Sequence, residues 1–173
     1  VSAWADLDGS TREESLGRAE LALHVHLDEN MDGERGGAAG ALLRTREAFD
    51  DARTFQKNKG AFERNQSRPF AASRLDLESI TNALNGKVPV VFHVQRAPDI
   101  QAALQVAKEF NLRVIIAGGA EAWKVAQQLA AAKIPVLVNP IIPGPTSFDN
   151  LGARDDNAAL LHAAGVPVVI TTN

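Results

Sequence analysis

The chain has 173 residues, 45% of them apolar and 23% charged, enough to bury one hydrophobic core without staples. A net charge of −3 offers no basic stripe for nucleic acid, and the absence of cysteine removes disulfide frameworks, thiolate chemistry and Cys-type zinc sites. No apolar run approaches the roughly 18 residues of a membrane span, and no signal peptide is visible. A soluble protein is therefore expected, cytoplasmic or periplasmic, with neither a nucleic-acid nor a membrane partner. The chain begins with Val1 and reads as part of a longer product.

Charge divides the chain, because 12 of the 18 Lys+Arg and 15 of the 21 Asp+Glu fall within residues 1–87. Residues 1–85 are expected to form a charged, mostly helical region, and 86–173 a buried β/α layer. Val1–Trp4 reads as the end of a strand, and residues 6–18 as a turn followed by a short polar helix. Leu21–Leu27, LALHVHL, alternates as a strand would, yet also suits the continuation of a helix. Asp28–Gly40 is loop-like in composition. From Ala41 to Lys59 a partial helical stripe runs through Leu42, Leu43, Phe49, Ala52 and Phe55. Gly60–Ser73 reads as a loop. Asp76 starts a short helix, with Leu77, Ile80 and Leu84 on one face and Gly86 as its stop.

The second half is more regular. β-branched runs at Val88–Val94, Arg113–Ala117, Pro135–Val138 and Val166–Thr172 alternate with helical patterns at Pro98–Phe110, Ala120–Ala131 and Asp155–Ala164. Apolar strands separated by amphipathic helices predict parallel β/α units, the α/β class. Three of the four strands open with the same element: Val88-Pro89-Val90-Val91, Ile134-Pro135-Val136-Leu137 and Val166-Pro167-Val168-Val169. Proline is tolerated there because no ladder donor is yet required. Four such strands make half of an eight-stranded barrel or a small open sheet. Their edges would be paired by the missing half of the barrel, by a second copy in a homo-oligomer, or by the N-terminal region.

In parallel β/α folds the chemistry collects where strands end. His93 stands at such an end, followed by Arg96, and suits either a metal ligand and acid–base role or a simple backbone hydrogen bond. His24 and His26 would share one face of a strand and could chelate. The charged surroundings favour an exposed or loop-facing pair instead. Gly118-Gly119, between strand and helix, allows an anion at the helix start, although helix geometry alone explains both glycines. Asn139, Thr171-Thr172 and Asn173 also fall at strand ends. Asp149 and Arg154 flank a turn, and His162 belongs to a helix C-terminus as a structural residue.

The motifs VPVVFHVQRAxDI, RVIIAGGAEAWKVA, IPVLVNP and SFDNLGARxDNAALLHAAGVPVVITTN, in this order over Leu75–Asn173, resemble the amidohydrolase superfamily and, more narrowly, imidazolonepropionase-like amidohydrolases. The charged region Gly36–Lys59, with LLRxREAFDDAR, is similar to an insertion before the fifth barrel strand of this group. The resemblance implies strands five to eight of a metal-dependent (β/α)8 TIM-type barrel that hydrolyses a non-peptide C–N bond in a cyclic amide or related small molecule. It implies zinc or another divalent metal as cofactor and a small amide as substrate. Carried over by position, His93 matches the strand-five histidine ligand. The strand-six histidine falls on Gly118 and the strand-eight aspartate on Asn173, so two ligands are altered. The H-x-H of the family belongs upstream of Val1, and its role is not transferred to His24 and His26. Arg96, Gly118, Asn139 and Asn173 are the implied neighbours of the cavity. The isolated chain is expected to be inactive, and a non-catalytic small-ligand-binding module on the same scaffold is the alternative.

Overall fold

A computed structural model of the protein describes residues 2–5, 16–27, 37–58, 73–140 and 147–171. One six-stranded sheet runs through them in the order β1 (Ser2–Ala5), β2 (Leu16–His26), β3 (Val90–Val94), β4 (Val114–Gly118), β5 (Val136–Val138) and β6 (Val168–Ile170). β1 lies antiparallel to β2, and β2 to β6 are parallel. The parallel strands are joined by helices α1 (Gly37–Lys57), α2 (Arg74–Leu84), α3 (Ala97–Phe110), α4 (Ala126–Ala131) and α5 (Asn157–Ala163). The architecture is α/β, part of a barrel wall, with each strand beside its neighbour in sequence.

The largest departure from the sequence reading is β2. Residues 16–18, expected in a polar helix, belong to this strand, and LALHVHL is strand throughout its length to His26. Its pairing with β3 is in register, with Leu23 opposite Val90, His24 opposite Val91 and His26 opposite His93. The sheet therefore crosses the division drawn between residues 85 and 86. Helix propensity in this charged region was overridden by the apolar strand β3, which offers an open row of hydrogen-bonding groups to a neighbour.

Period-2 alternation then sorts the side chains. Val90, Phe92 and Val94 of β3, with Ile116, Val136 and Val138, face the helices and join Ile100, Val106, Phe110, Leu129 and Leu161 in the main core. The opposite face carries a thinner apolar layer of Ala22, Val91 and Ala117, flanked by Ile115 and Leu137. A sheet apolar on both faces is what a parallel barrel wall requires.

The helices in the first half fasten to this wall. Phe49, Ala52 and Phe55 of α1 are buried, and the Phe49 ring lies 5.2 Å from that of Phe110 on α3. Arg53 of α1 places its guanidinium 4.2 Å from the centre of the Phe110 ring and donates to the Glu109 carbonyl at 3.0 Å. Arg46 forms an ion pair with Glu109. Ser73 and Asp76 start α2 with a reciprocal capping box, the Ser73 Oγ accepting from the Asp76 N–H and the Asp76 carboxylate from the Ser73 N–H. The expected single helix over Ala120–Ala131 is instead a 3-10 turn, Ala122–Val125, running into α4. Among the described residues no helix is long and apolar enough to cross a membrane.

Candidate functional site

The register between β2 and β3 creates the site. Because His24, His26 and His93 alternate with core residues, all three point to the face away from the helices, beside Ala22 and Val91. The His24 Nδ1 lies 2.8 Å from the His93 Nε2, a hydrogen bond in which one ring donates and the other accepts. The His26 ring stacks on His93 with centroids 4.1 Å apart and planes 8° from parallel, and His24 stacks more loosely at 5.2 Å. Burial is the main cause holding the His24 imidazole below its ordinary pKa, and the charge of His26 acts in the same direction. A neutral imidazole in a hydrogen bond can pass a proton or bind a metal. The expectation of an exposed or loop-facing His24–His26 pair holds for exposure at His26 and not at His24, which is half-buried, and both lie on strand β2 beside His93.

The fit of this cluster to a metal is partial. Two nitrogens bound to one ion at about 2.1 Å, at right angles or somewhat wider, stand about 3 Å apart, close to the His24–His93 separation. His26 is stacked flat on His93, and among the described residues no group of three His, Asp or Glu side chains converges as a metal site would. The described residues thus suit two places around an ion and fall short of the three protein ligands of a catalytic zinc.

At the end of β4 the chain takes a different course. Gly118 has φ +90°, and a Cβ there would lie 2.4 Å from the Nε2 of Gln95. The Gln95 carboxamide occupies the space a side chain at 118 would need, and its Oε1 accepts from the Ala120 N–H at 3.2 Å. The Gly119 N–H goes to the Val94 carbonyl at 2.7 Å and the Glu121 N–H to the Gln95 carbonyl at 2.9 Å. The Gly119, Ala120 and Glu121 amides of this turn are therefore already engaged and do not offer donors to an anion at Gly118-Gly119.

Glu121 serves the neighbouring unit. Its Oε2 accepts from the Ala97 N–H at 3.0 Å, capping α3, whose own N-cap residue Arg96 makes no side-chain cap, and its Oε1 accepts from Lys124 at 2.6 Å. Burial opposes ionisation of Glu121, but Lys124, the Ala97 N–H and Arg96 outweigh it and hold the carboxyl below its ordinary value. Asp99 moves the other way: burial raises it, reinforced by Asp149 and Glu121 and opposed by Arg96. Arg96 itself is exposed at the start of α3. Asn139 follows β5 and lines a cavity together with Gly118, Asn150 and Asn157. His162 is exposed in the last turn of α5, as read. Asn173 and Thr172 lie outside the described residues, whereas the Thr171 N–H extends the ladder to the Val138 carbonyl at 3.0 Å.

Sequence reasoning missed Gln95 and the pairing of His24 with His93. A signal existed for each. Gln95 follows His93 by two residues and so leaves the strand on the same side, and LALHVHL alternates cleanly once it is taken as a strand.

No protein-family model matches the sequence, and neither does any curated protein. An amidohydrolase from Thermotoga maritima MSB8 has a similar solved structure, with a TM-score of 0.78 and 26% sequence identity. The likeness covers 92% of this chain and 43% of the other, so the chain spans less than half the length of that protein. The fold is amidohydrolase-like: an open, parallel portion of such a barrel with its helices on one side.

Proposed function

We propose that a protein carrying this chain is a hydrolase of the amidohydrolase type that cleaves a non-peptide C–N bond in a small amide, cyclic in the narrower, imidazolonepropionase-like reading. The observation that carries the proposal is the hydrogen bond between His24 and His93 at 2.8 Å, inside the wall and near the C-terminal ends of β2 and β3. That is the end at which barrels of this kind keep their chemistry. The order of the motifs and the likeness to a solved amidohydrolase support it. His93 and His24 would hold two positions of a divalent metal such as zinc, with the other ligands supplied from outside the described residues. Such an ion, when bound, polarises the amide carbonyl and acidifies a water.

Metal analysis of the full-length protein, with and without His93→Ala, tests this reading. Stoichiometric zinc and amide turnover, both lost in the variant, are the expected result. A second reading, a non-catalytic module that binds a small molecule in the same barrel mouth, is favoured by Gly118. The position that resembles a ligand site has no side chain, and Gln95 fills its space. Binding of a small amide that persists in chelator, with no bound metal and no turnover, would establish the module and overturn the hydrolase.

A further inference from the structure

A groove of about 940 Å³ lies at the opposite end of the sheet from the histidine cluster, where β3, β4 and β5 begin and α3 and α4 end. Leu104, Ile115 and Ile134 give it apolar walls, each only partly buried. Its charged lining consists of Lys108, Arg113 and Lys133, all exposed, and among the described residues no Asp or Glu lines it. Glu109, next to Lys108, is engaged by Arg46 of α1. Among the described residues neither lysine has a carboxylate partner, and Arg113 commits its Nη1 to the Gly86 carbonyl at 3.1 Å. Lysines near a helix C-terminus often serve its last carbonyls. Here backbone amides do so: Leu112 and Asn111 donate to the Ala107 and Lys108 carbonyls at 2.9 and 3.4 Å, and Ile134 and Lys133 to those of Leu129 and Ala130 at 3.0 Å. Lys133 also breaks a local rule. It sits just past α4 at φ +53°, where α3 uses Asn111 at φ +54° and where glycine or asparagine is the ordinary choice.

We propose that this groove binds a small amphipathic anion, a carboxylate carried on a short apolar chain. Ligand pockets measure about 300–1,000 Å³ and combine apolar walls with a few polar groups, and this groove has both features. Three cations around an apolar surface, with no acid among them, attract an anion and repel a cation. The apolar walls add the burial of a chain. A bare anion would leave those walls wet, and a neutral chain would leave the charges unused, so the combination fits best. Lys133 held at positive φ costs local stability and adds a charge to the groove, the pattern of a residue kept for binding rather than for folding. The proposal goes beyond the hydrolase reading and does not rest on it, because the N-terminal ends of the strands are remote from the ends at which such barrels keep their chemistry.

Amide chemical-shift titration of the full chain, with octanoate, octylamine and acetate as probes, tests the assignment. Octanoate is expected to shift the amides of Arg113 and Lys133 saturably, and the other two probes are not at the same concentrations. Lys133→Gly should weaken octanoate binding roughly two- to fivefold, the scale of one partly exposed charge pair, while raising the urea midpoint because glycine accepts positive φ. Lys108→Gln should weaken binding by a similar factor. Ala132→Glu, which adds a carboxylate to the exposed rim, should abolish it, and Ala132→Gln should retain it. No saturable shift with octanoate, equal binding of octylamine or acetate, or affinity unchanged in the Lys108→Gln/Lys133→Gly double variant would each overturn the proposal. A lower urea midpoint in Lys133→Gly would also overturn it, by making the lysine a structural residue.

Discussion

Gly118→Ala probes the mouth of the sheet directly. The backbone there has φ +90°, a conformation that an L side chain enters at a cost of about 1–2 kcal/mol. The new Cβ would also stand 2.4 Å from Gln95 Nε2 and 2.7 Å from its Oε1. The carboxamide is the far end of a flexible side chain, so it would swing away and surrender its hydrogen bond from the Ala120 N–H. A neutral bond of that kind contributes about 0.5–1.5 kcal/mol, which brings the expected loss to about 2–3 kcal/mol. In a domain of this size that lowers the melting temperature by roughly 5–10 °C. Urea unfolding of the full chain gives the same quantity directly. Gln95→Ala alone should cost about 1 kcal/mol, and the double variant should fall short of additivity by about the same amount, because the bond can be lost only once. A Gly118→Ala variant less than about 0.5 kcal/mol below the parent, or a fully additive double variant, would refute the reasoning. Gly118→His meets the same two obstacles and should lower stability at least as much as Gly118→Ala.

Two further predictions concern stability. Glu121 is held below its ordinary value of 4.5, so the folded chain binds fewer protons there than the unfolded one. Its contribution is complete above the unfolded value and disappears as pH falls through the folded one. Glu121→Gln should therefore lower stability by about 1 kcal/mol at neutral pH and by little at about pH 3, as read from urea midpoints at the two pH values. Ser73→Ala removes the N-cap of α2 and should cost about 1 kcal/mol, with faster hydrogen exchange confined to the first turn at residues 74–78. Protection there that is unchanged would show that packing of Leu77 and Ile80 alone holds the helix start.

The β/α alternation after residue 86 was legible because its signals are local. Apolar runs of strand length, prolines at strand starts and glycines at helix ends act within a few residues, and all four strands of that region lie where the sequence placed them. Two glycines were legible only as punctuation. Their detailed role, with Gln95 taking the space of a side chain at 118 and the turn amides consumed by Val94 and Gln95, depends on which neighbour is across the sheet.

By itself, the sequence determined the class of fold, the parallel direction of the strands from Val90 onward, and the placing of His93, Gly118 and Asn139 at strand ends, since periodicity and turn chemistry act over short distances along the chain. Only the tertiary structure decided the site. His24 and His93 are 69 residues apart in sequence, and they meet because β2 pairs with β3 in the one register that sets His24 opposite Val91 and His26 opposite His93. A shift by one residue would have turned both β2 histidines toward the helices. That register is a property of two strands in contact and is written in neither alone.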